Sequence, residues 1–384
     1  MENRFVLVLV DDEPGITRSL EREIRLEFGH DAFEIVTFND PVEALSWISD
    51  RINEVFLVIA DLRMPEMNGS DLLVRIRALS ETVQTILLTA YTDIDSIQKA
   101  VSSSILSLMF KPWKRGELVT EIDRALRMRK CKLENALLKG RIDEMLASAG
   151  EFQRSLFSLE PPQSKRLSWS VSFNPLETYH CGGDFYEIDG VDADRYLVVV
   201  GDVTGHGPKS AAIACMLKVA LRASLERAPY LRVAPDLLLA ELNDLFCDLL
   251  EPTPEILLPM HVAFVDPAAK TVSLASAGMP PAILARKGIP RLFPCSNPVP
   301  GAFKTSEYAK VDIALEPGDR FILYTDGLAE SAPAFFSREG EDFLKHVTAR
   351  ADYSADALLS SFRDAIPDCR FSDDVTIVSM LFEG

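Results

Sequence analysis

Three aspartates, a threonine and a lysine stand at the ends of short apolar runs in the first third of this 384-residue chain. They are Asp11, Asp12, Asp61, Thr89 and Lys111. Carboxylates that meet at one edge of a sheet repel one another unless a cation lies among them, and oxygen ligands with room for water suit Mg²⁺. A carboxylate beside Mg²⁺ and a lysine can accept a phosphoryl group, because both cations neutralise the charge that develops during transfer. A single acid of this kind often only caps a helix, but five matching positions favour a phosphoryl-accepting site.

Four later aspartates lie at the boundaries of apolar runs, beside a glycine, a small residue or another acid. They are Asp184, Asp202, Asp326 and Asp373. Asp202 belongs to the stretch YLVVVGDVTGHGPKSAA, whose order of strand, glycine-rich turn and helix could also form a phosphate cradle. A cradle requires cations and N–H donors at a helix start, but Lys209 is the only nearby cation and the GxxxxGK[ST] spacing is absent. The set therefore favours divalent metals that share a carboxylate and activate a water for attack on phosphorus.

The composition excludes several classes of protein. A net charge of −18 argues against nucleic acid or an anionic membrane as a partner. The six cysteines show no metal-knuckle spacing, which is typical of reduced thiols in a cytosolic protein. No apolar run approaches the length of a membrane span, and the N-terminal FVLVLV reads as a strand and not as a signal peptide. A cytoplasmic location is expected.

The first third alternates short apolar runs with helical patterns. The predicted strands are Phe5–Val10, Phe33–Thr37, Val55–Ala60, Val83–Thr89 and Ile105–Phe110. Their nearly continuous apolar character is typical of strands covered on both faces. The alternation therefore predicts a doubly wound parallel sheet of five strands, with ligands beyond the C-terminal strand ends.

These five strand ends together resemble the response-regulator receiver domain, over residues 1–125. The resemblance implies that Asp61 is the phosphoacceptor for an upstream histidine kinase, that Thr89 is the switch hydroxyl and that Lys111 contacts the phosphate. It also implies one Mg²⁺, with four ligating residues. These are Asp11, Asp12, Asp61 and the backbone carbonyl of Arg63. Leu108 departs from the family, which usually has an aromatic switch residue three positions before the lysine, so the coupling that reports phosphorylation is expected to differ.

Residues 126–158 are predicted to form a helical linker. Apolar and small residues recur there at steps of three and four for about four heptads. The seam contains Met128, Cys131, Asn135, Leu138, Ile142, Met145, Ala149, Phe152 and Leu156. It favours a parallel coiled coil and hence a homodimer. The alternative is an amphipathic helix lying on its own domain, which the off-seam residues Leu133, Leu137 and Leu146 favour.

Residues 159–384 show strand-like runs with period-two alternation, and helices in between. Antiparallel sheets with helices packed outside them are predicted. The motifs GGDFYEI, GDVTGHG, YTDGLAE and SDDVTIV, in this order, closely resemble the PPM-type, SpoIIE-like metal-dependent serine/threonine protein phosphatases. That resemblance implies an α/β/β/α sandwich.

The same resemblance implies a site with two Mn²⁺ or Mg²⁺ ions. Asp184, Asp202 and the Val203 carbonyl would bind one ion. Asp202, Asp326 and Asp373 would bind the other, and the water between the ions would be the nucleophile. His206 could be a general acid, but a histidine between glycines is more often a loop residue.

The sequence as a whole predicts a response regulator whose phosphorylation at Asp61 controls a protein phosphatase. Among SpoIIE-like relatives the expected substrate is an anti-sigma-factor antagonist. The alternative is a non-catalytic adaptor whose phosphatase-like domain binds a regulatory partner. The sequence leaves open whether phosphorylation activates or inhibits, and whether the metal is Mn²⁺ or Mg²⁺.

Overall fold

The computed structural model describes residues 5–90, 107–157, 161–250, 255–294, 297–331, 354–365 and 371–384. The chain divides into two compact units, residues 1–141 and 142–384. Of the predicted strands, only Ile105 and Leu106 of the fifth lie outside the described residues. Among the helices that are described, none is both long enough and apolar enough to cross a membrane.

The first unit contains a five-stranded parallel sheet in the order β2-β1-β3-β4-β5, which confirms the predicted fold. The strands are β1 (Val6–Val10), β2 (Glu34–Phe38), β3 (Val55–Asp61), β4 (Gln84–Ala90) and β5 (Ser107–Lys111). Helices α1 (Pro14–Phe28), α2 (Pro41–Asp50) and α3 (Gly69–Leu79) connect them. Alternate residues of β1 enter two separate cores: Val8 packs with α2 and α3, and Leu9 packs with α1. Burial on both faces explains the nearly continuous apolar runs.

Helix α4 (Arg115–Phe157) is one continuous helix of 43 residues, so the predicted linker is helical. Its first turns pack Leu118 and Ile122 into the core of the first unit. The predicted seam is largely exposed in this single chain, with Met145 73% exposed, but the off-seam Leu137 is 68% exposed as well. Pairing of two such helices stays a prediction.

The second unit contains two antiparallel sheets of five strands. One has the order β13-β10-β9-β8-β7, built from β7 (Phe185–Gly190), β8 (Tyr196–Gly201), β9 (Met260–Asp266), β10 (Thr271–Ala277) and β13 (Val311–Ala314). The other has the order β12-β11-β14-β15-β6, built from β6 (Leu167–Asn174), β11 (Ala282–Arg286), β12 (Ile289–Phe293), β14 (Arg320–Tyr324) and β15 (Val375–Phe382).

The two sheets share one core. Leu323 and Met380 of one sheet belong to the same apolar cluster as Val199 and Val262 of the other. Helices α5 (Pro208–Arg227) and α6 (Pro235–Leu249) contact the first sheet, and α7 (Asp326–Ser331) and α8 (Ala355–Ala365) contact the second. Residues that alternate with the inner ones, such as Ile322 and Ile377, pack against α8. The unit is therefore the predicted α/β/β/α sandwich.

Candidate functional site

The parallel sheet brings three predicted residues together at its C-terminal edge. The Nζ atom of Lys111 lies 2.7 Å from Asp11 Oδ2 and 2.5 Å from Asp61 Oδ1. Burial raises the pKa of Asp11, although its hydrogen bond with Lys111 opposes that shift. Burial alone would lower the pKa of Lys111, but its hydrogen bonds to both carboxylates raise it. The end of β5 therefore holds a cation between two acids, an arrangement that could neutralise the charge of a phosphorylated carboxylate.

The remaining predicted residues of this edge surround that triad. Asp12 and Arg63 are exposed, and the Arg63 N–H donates to Asp61 Oδ2 at 3.1 Å. Thr89 is buried at the end of β4, and Leu108 packs partly buried against the core under α2 and α3. Sequence reasoning missed Gly69: a Cβ there would lie 1.9 Å from the Asp61 carbonyl oxygen, so only glycine lets α3 begin so close to Asp61. The carboxylates and the exposed edge form an oxygen-rich donor set that fits Mg²⁺.

Asp184 lies in the interior of the second unit, just before β7, and is only 1% exposed. Its Oδ2 atom accepts hydrogen bonds from the hydroxyls of Thr325, at 2.8 Å, and Thr376, at 2.6 Å. Its Oδ1 atom is buried and has no hydrogen-bond partner in the described part of the chain. Burial, followed by the charge of Asp202, raises the pKa of Asp184 well above its usual value. A buried carboxylate with one unpartnered oxygen fits a metal ligand, because a cation would satisfy that oxygen.

The other three predicted aspartates lie near one another. Asp202 follows β8, Asp326 begins α7 and Asp373 precedes β15. Burial, then the nearby charges of Asp326 and Asp373, raise the pKa of Asp202 to about 8. Burial raises the pKa of Asp326 as well. Acids that destabilise one another in this way need a compensating positive charge to be ionised together.

Two glycines allow the loop before Asp184 to pack closely against these acids. A Cβ on Gly183 would lie 2.4 Å from the Val203 carbonyl oxygen and 2.8 Å from Asp202 Oδ1. A Cβ on Gly182 would lie 1.8 Å from Asp374 Oδ2. The pair in CGGDFYEI is therefore needed for close packing, and Gly183 lies close to both the Val203 carbonyl and the Asp202 carboxylate.

Asp374 holds two loops in place. Its carboxylate accepts hydrogen bonds from the Gly183 N–H at 2.8 Å and the Leu176 N–H at 2.6 Å. The side chain is 2% exposed, and burial raises its pKa to about 6 even though these hydrogen bonds oppose the shift. Asp374 is thus a positioning residue for the loop that precedes Asp184.

Sequence reasoning also missed Gln153, near the end of α4. Its side chain is buried and bonds the backbone of Gly182 twice: Nε2 donates to the carbonyl at 2.7 Å, and Oε1 accepts from the N–H at 3.1 Å. Three residues earlier, a Cβ on Gly150 would lie 2.1 Å from the His180 carbonyl oxygen. The helix end is therefore joined directly to the loop that carries Asp184.

Among the described residues, no three acidic, histidine or cysteine side chains form a ready-made cage for an ion. Mg²⁺ commonly binds through one or two carboxylates and keeps several waters. The acid cluster of the second unit offers carboxylates, a backbone carbonyl beside Asp202 and the Asp184 oxygen that has no partner among the described residues. This donor set fits hydrated divalent cations, and in the described part of the chain it includes no lysine or arginine that could bind a nucleotide phosphate.

His206 lies in the loop after Asp202. Its ring stacks on Tyr179, with ring centroids 4.9 Å apart. The structure thus places His206 beside the site, in a loop that the stacking contact holds.

Comparison with known families gives two matches. The model of the family described as Stage II sporulation protein E (SpoIIE) matches residues 192–383, which is half of the chain. The response regulator receiver domain matches residues 7–123. A relative in this first part is the transcriptional regulatory protein GlrR of Escherichia coli K12, 33% identical over 120 residues, covering 31% of this chain and 26% of GlrR. The chain spans between 26% and 50% of the length of the relatives that it matches in this way.

Two solved structures resemble the second part in fold. The SiaA-PP2C domain of Pseudomonas aeruginosa superposes with a TM-score of 0.55 at 23% identity, covering 64% of this chain and 99% of that domain. The PP2C phosphatase domain of SpoIIE from Bacillus subtilis, with a fragment of its regulatory domain, gives a TM-score of 0.50 at 19% identity. It covers 58% of this chain and 64% of that one. Both likenesses concern the fold.

Proposed function

This chain belongs to the SpoIIE family and carries a response regulator receiver domain ahead of its phosphatase domain, and we propose that phosphorylation of Asp61 controls its hydrolysis of phosphoserine or phosphothreonine in a protein. The observation that carries the proposal is the buried Oδ1 atom of Asp184, which has no hydrogen-bond partner among the described residues and lies beside the mutually destabilising acids around Asp202. An acid set arranged in this way is costly unless cations bind to it.

The residues of the phosphatase site have distinct roles in this proposal. Asp184, Asp202 and the Val203 carbonyl hold one Mn²⁺ or Mg²⁺, and Asp202, Asp326 and Asp373 hold a second. Such ions, when bound, lower the pKa of a water and offset the charge of the phosphoryl group. Thr325 and Thr376 orient Asp184 through its Oδ2 atom.

In the receiver site, too, cations would offset the negative charge of the carboxylates and of a phosphoryl group. Asp61 accepts the phosphoryl group from a histidine kinase, and Lys111 neutralises its charge from 2.5 Å. Asp11, Asp12, Asp61 and the carbonyl of Arg63 hold Mg²⁺. Thr89 would contact the phosphoryl group. Leu108, in the usual aromatic position, makes the response at this edge differ from that of typical receivers.

Helix α4 is the route by which the receiver would act on the phosphatase. In its first turn Leu118 packs in the core of the first unit, and near its other end Gln153 bonds Gly182, two residues before Asp184. The exposed seam of α4 supports pairing of two chains in a homodimer. An anti-sigma-factor antagonist is the proposed substrate, on family grounds alone. The proposed domains are a receiver domain at residues 1–125, a helical linker at residues 126–158 and a phosphatase domain at residues 159–384.

The test is hydrolysis of p-nitrophenyl phosphate with Mn²⁺ by the full chain, with and without beryllofluoride as a phosphoryl mimic on Asp61. Asp202→Asn should lower turnover more than about 100-fold, because losing only an outer-shell partner of a metal ligand typically costs 10–100-fold. Asp312→Asn, at an exposed strand position, is the matched control. The effect of the mimic gives the sign of regulation.

The rival is a non-catalytic adaptor. It predicts no turnover with any substrate and no binding of Mn²⁺ by the phosphatase-like unit in calorimetry. The adaptor would be excluded if the wild type binds Mn²⁺ and turns over substrate, and if Asp202→Asn abolishes both.

A further inference from the structure

A cavity of about 370 Å³ opens beside the phosphatase site. Its lining includes Asp373, one of the proposed metal ligands, together with residues 174–178 and Arg363 and Phe371. The volume lies within the range of about 300–1,000 Å³ that is typical of ligand pockets. Because Asp373 belongs to both, anything bound in the cavity would lie next to the reacting phosphoryl group.

The walls of this cavity are held by the fold. On one side, the Leu176 N–H donates to Asp374 at 2.6 Å, which joins residues 174–178 to the loop of the metal site. On the other side, Phe362 of α8 is buried against β14 and β15, and Phe371 packs against the same cluster. The cavity is therefore a feature of the packed unit, close to the acids.

Of the described residues that line the cavity, Arg363 alone carries a positive charge. Its guanidinium lies 5.6 Å from the centre of the Phe371 ring, and within the described ranges it forms no ion pair. The acids of the lining are Glu177, which is exposed, and Asp373, whose charge the proposed metal would neutralise. The chain as a whole carries a net charge of −18 and repels anions. Arg363 provides a local positive charge in the cavity, which would favour binding of an anionic group at this point.

We propose that this cavity binds the polypeptide segment that flanks the phosphorylated residue of the protein substrate, and that Arg363 pairs with a carboxylate of that segment. The inference rests on the proposed phosphatase function. A planar guanidinium suits a carboxylate, because two parallel N–H···O bonds can form. The Phe371 ring makes a cation–π contact with the guanidinium and offers the segment an apolar surface. The site therefore prefers phosphoserine with acidic neighbours.

The test uses the full chain with Mn²⁺ and two phosphoserine peptides that differ only in having Glu or Gln at the positions flanking the phosphoserine. Because Arg363 is exposed, we expect the wild type to favour the Glu peptide in kcat/KM by about two- to fivefold, as for an exposed ion pair. Arg363→Gln should bring that ratio close to one, and Arg363→Lys should keep part of it. Arg291→Gln is the matched control, since Arg291 lies 4.9 Å from the ring centre of Phe293 and does not line this cavity.

Binding of the same peptides to Asp202→Asn protein, by fluorescence anisotropy, gives a second readout that needs no turnover. A wild-type ratio of one, or an equal loss for both peptides in Arg363→Gln, would overturn the inference and leave the phosphatase function standing. An equal loss would instead mean that Arg363 contacts the phosphoryl group itself. If no substrate is hydrolysed, the proposed function fails, and the ratio of dissociation constants in anisotropy still decides the role of Arg363.

Discussion

The hydroxyl of Thr376 is predicted to control metal affinity through Asp184. Thr376 and Thr325 are the two donors to Asp184 Oδ2, at 2.6 and 2.8 Å, so Thr376→Val removes one donor while nearly preserving shape. Hydrogen bonds to charged groups contribute about 1.5–3 kcal/mol, and every 1.4 kcal/mol is about tenfold in affinity. Loss of an outer-shell partner costs about 10–100-fold in metal affinity. The two estimates agree, so Thr376→Val should weaken Mn²⁺ binding about 10- to 100-fold.

The direction follows from proton competition. Both hydroxyls lower the pKa of Asp184 against the opposing effect of burial, so removing one raises that pKa further. A metal must then displace a more tightly held proton, and the loss of affinity should be larger at pH 6 than at pH 8. The double variant with Thr325→Val should lose less than the product of the single losses, because both hydroxyls act on one oxygen.

The assay is isothermal calorimetry of the full chain with Mn²⁺, in an Asp61→Asn background that removes a proposed receiver ligand. Thr271→Val, in a strand of the other sheet, is the matched control, and thermal unfolding of each variant reports its fold. Affinity within twofold of the parent in a folded Thr376→Val protein would refute the reasoning. An equal loss in Thr271→Val would assign the effect to general destabilisation.

Two further predictions concern pH. Burial raises the pKa of Asp202 in the folded chain to about 8 from the ordinary 3.8, so folding favours the protonated form of this carboxyl. The contribution of Asp202 to the free energy of unfolding is therefore fully present below pH 3.8 and is lost as the pH rises toward 8. EDTA should therefore lower the Tm more at pH 8 than at pH 5.5, and equal shifts in calorimetry would contradict this account. Burial lowers the pKa of His261 to about 3 from 6.5, so stability should fall as the pH drops below 6.5, by up to about 1.4 kcal/mol per pH unit. His261→Met should unfold with a smaller loss of Tm between pH 6 and pH 4 than the wild type, and identical losses would show that His261 is already protonated in the folded protein.

The fold could be predicted from local patterns, because burial imposes them on the sequence directly. Strand β3 is buried along its whole length and reads as one apolar run, whereas β14 and β15 alternate between the sheet-to-sheet core and the core under α8. Strands β12 and β13 were not predicted. Both are largely exposed strands at sheet edges, where partly polar sequences such as IPRLF lack the signal that burial gives.

The candidate ligands could be found in the sequence for a chemical reason, since acids beside apolar strands are rarely explained by stability alone. The residues that position them carry no such signal. Gln153 bonds Gly182, Asp374 bonds Gly183 and Thr376 bonds Asp184 across 29, 191 and 192 positions of chain. A glutamine on a helix or a threonine in a strand is ordinary until the fold supplies its partner.

The positioning contacts meet in one short loop, and this concentrates the sensitivity of the site. Gly182 is bonded by Gln153, its neighbour Gly183 is bonded by Asp374, and the next residue is Asp184 with its two hydroxyl donors. Neither glycine can accept a Cβ without displacing a carboxylate or a carbonyl oxygen. The loop therefore cannot shift at one contact while the others stay in place, and a small displacement at the end of α4 would move Asp184 and its orienting bonds together. Close-packed interiors allow a change between discrete arrangements of this loop and do not allow it to bend gradually.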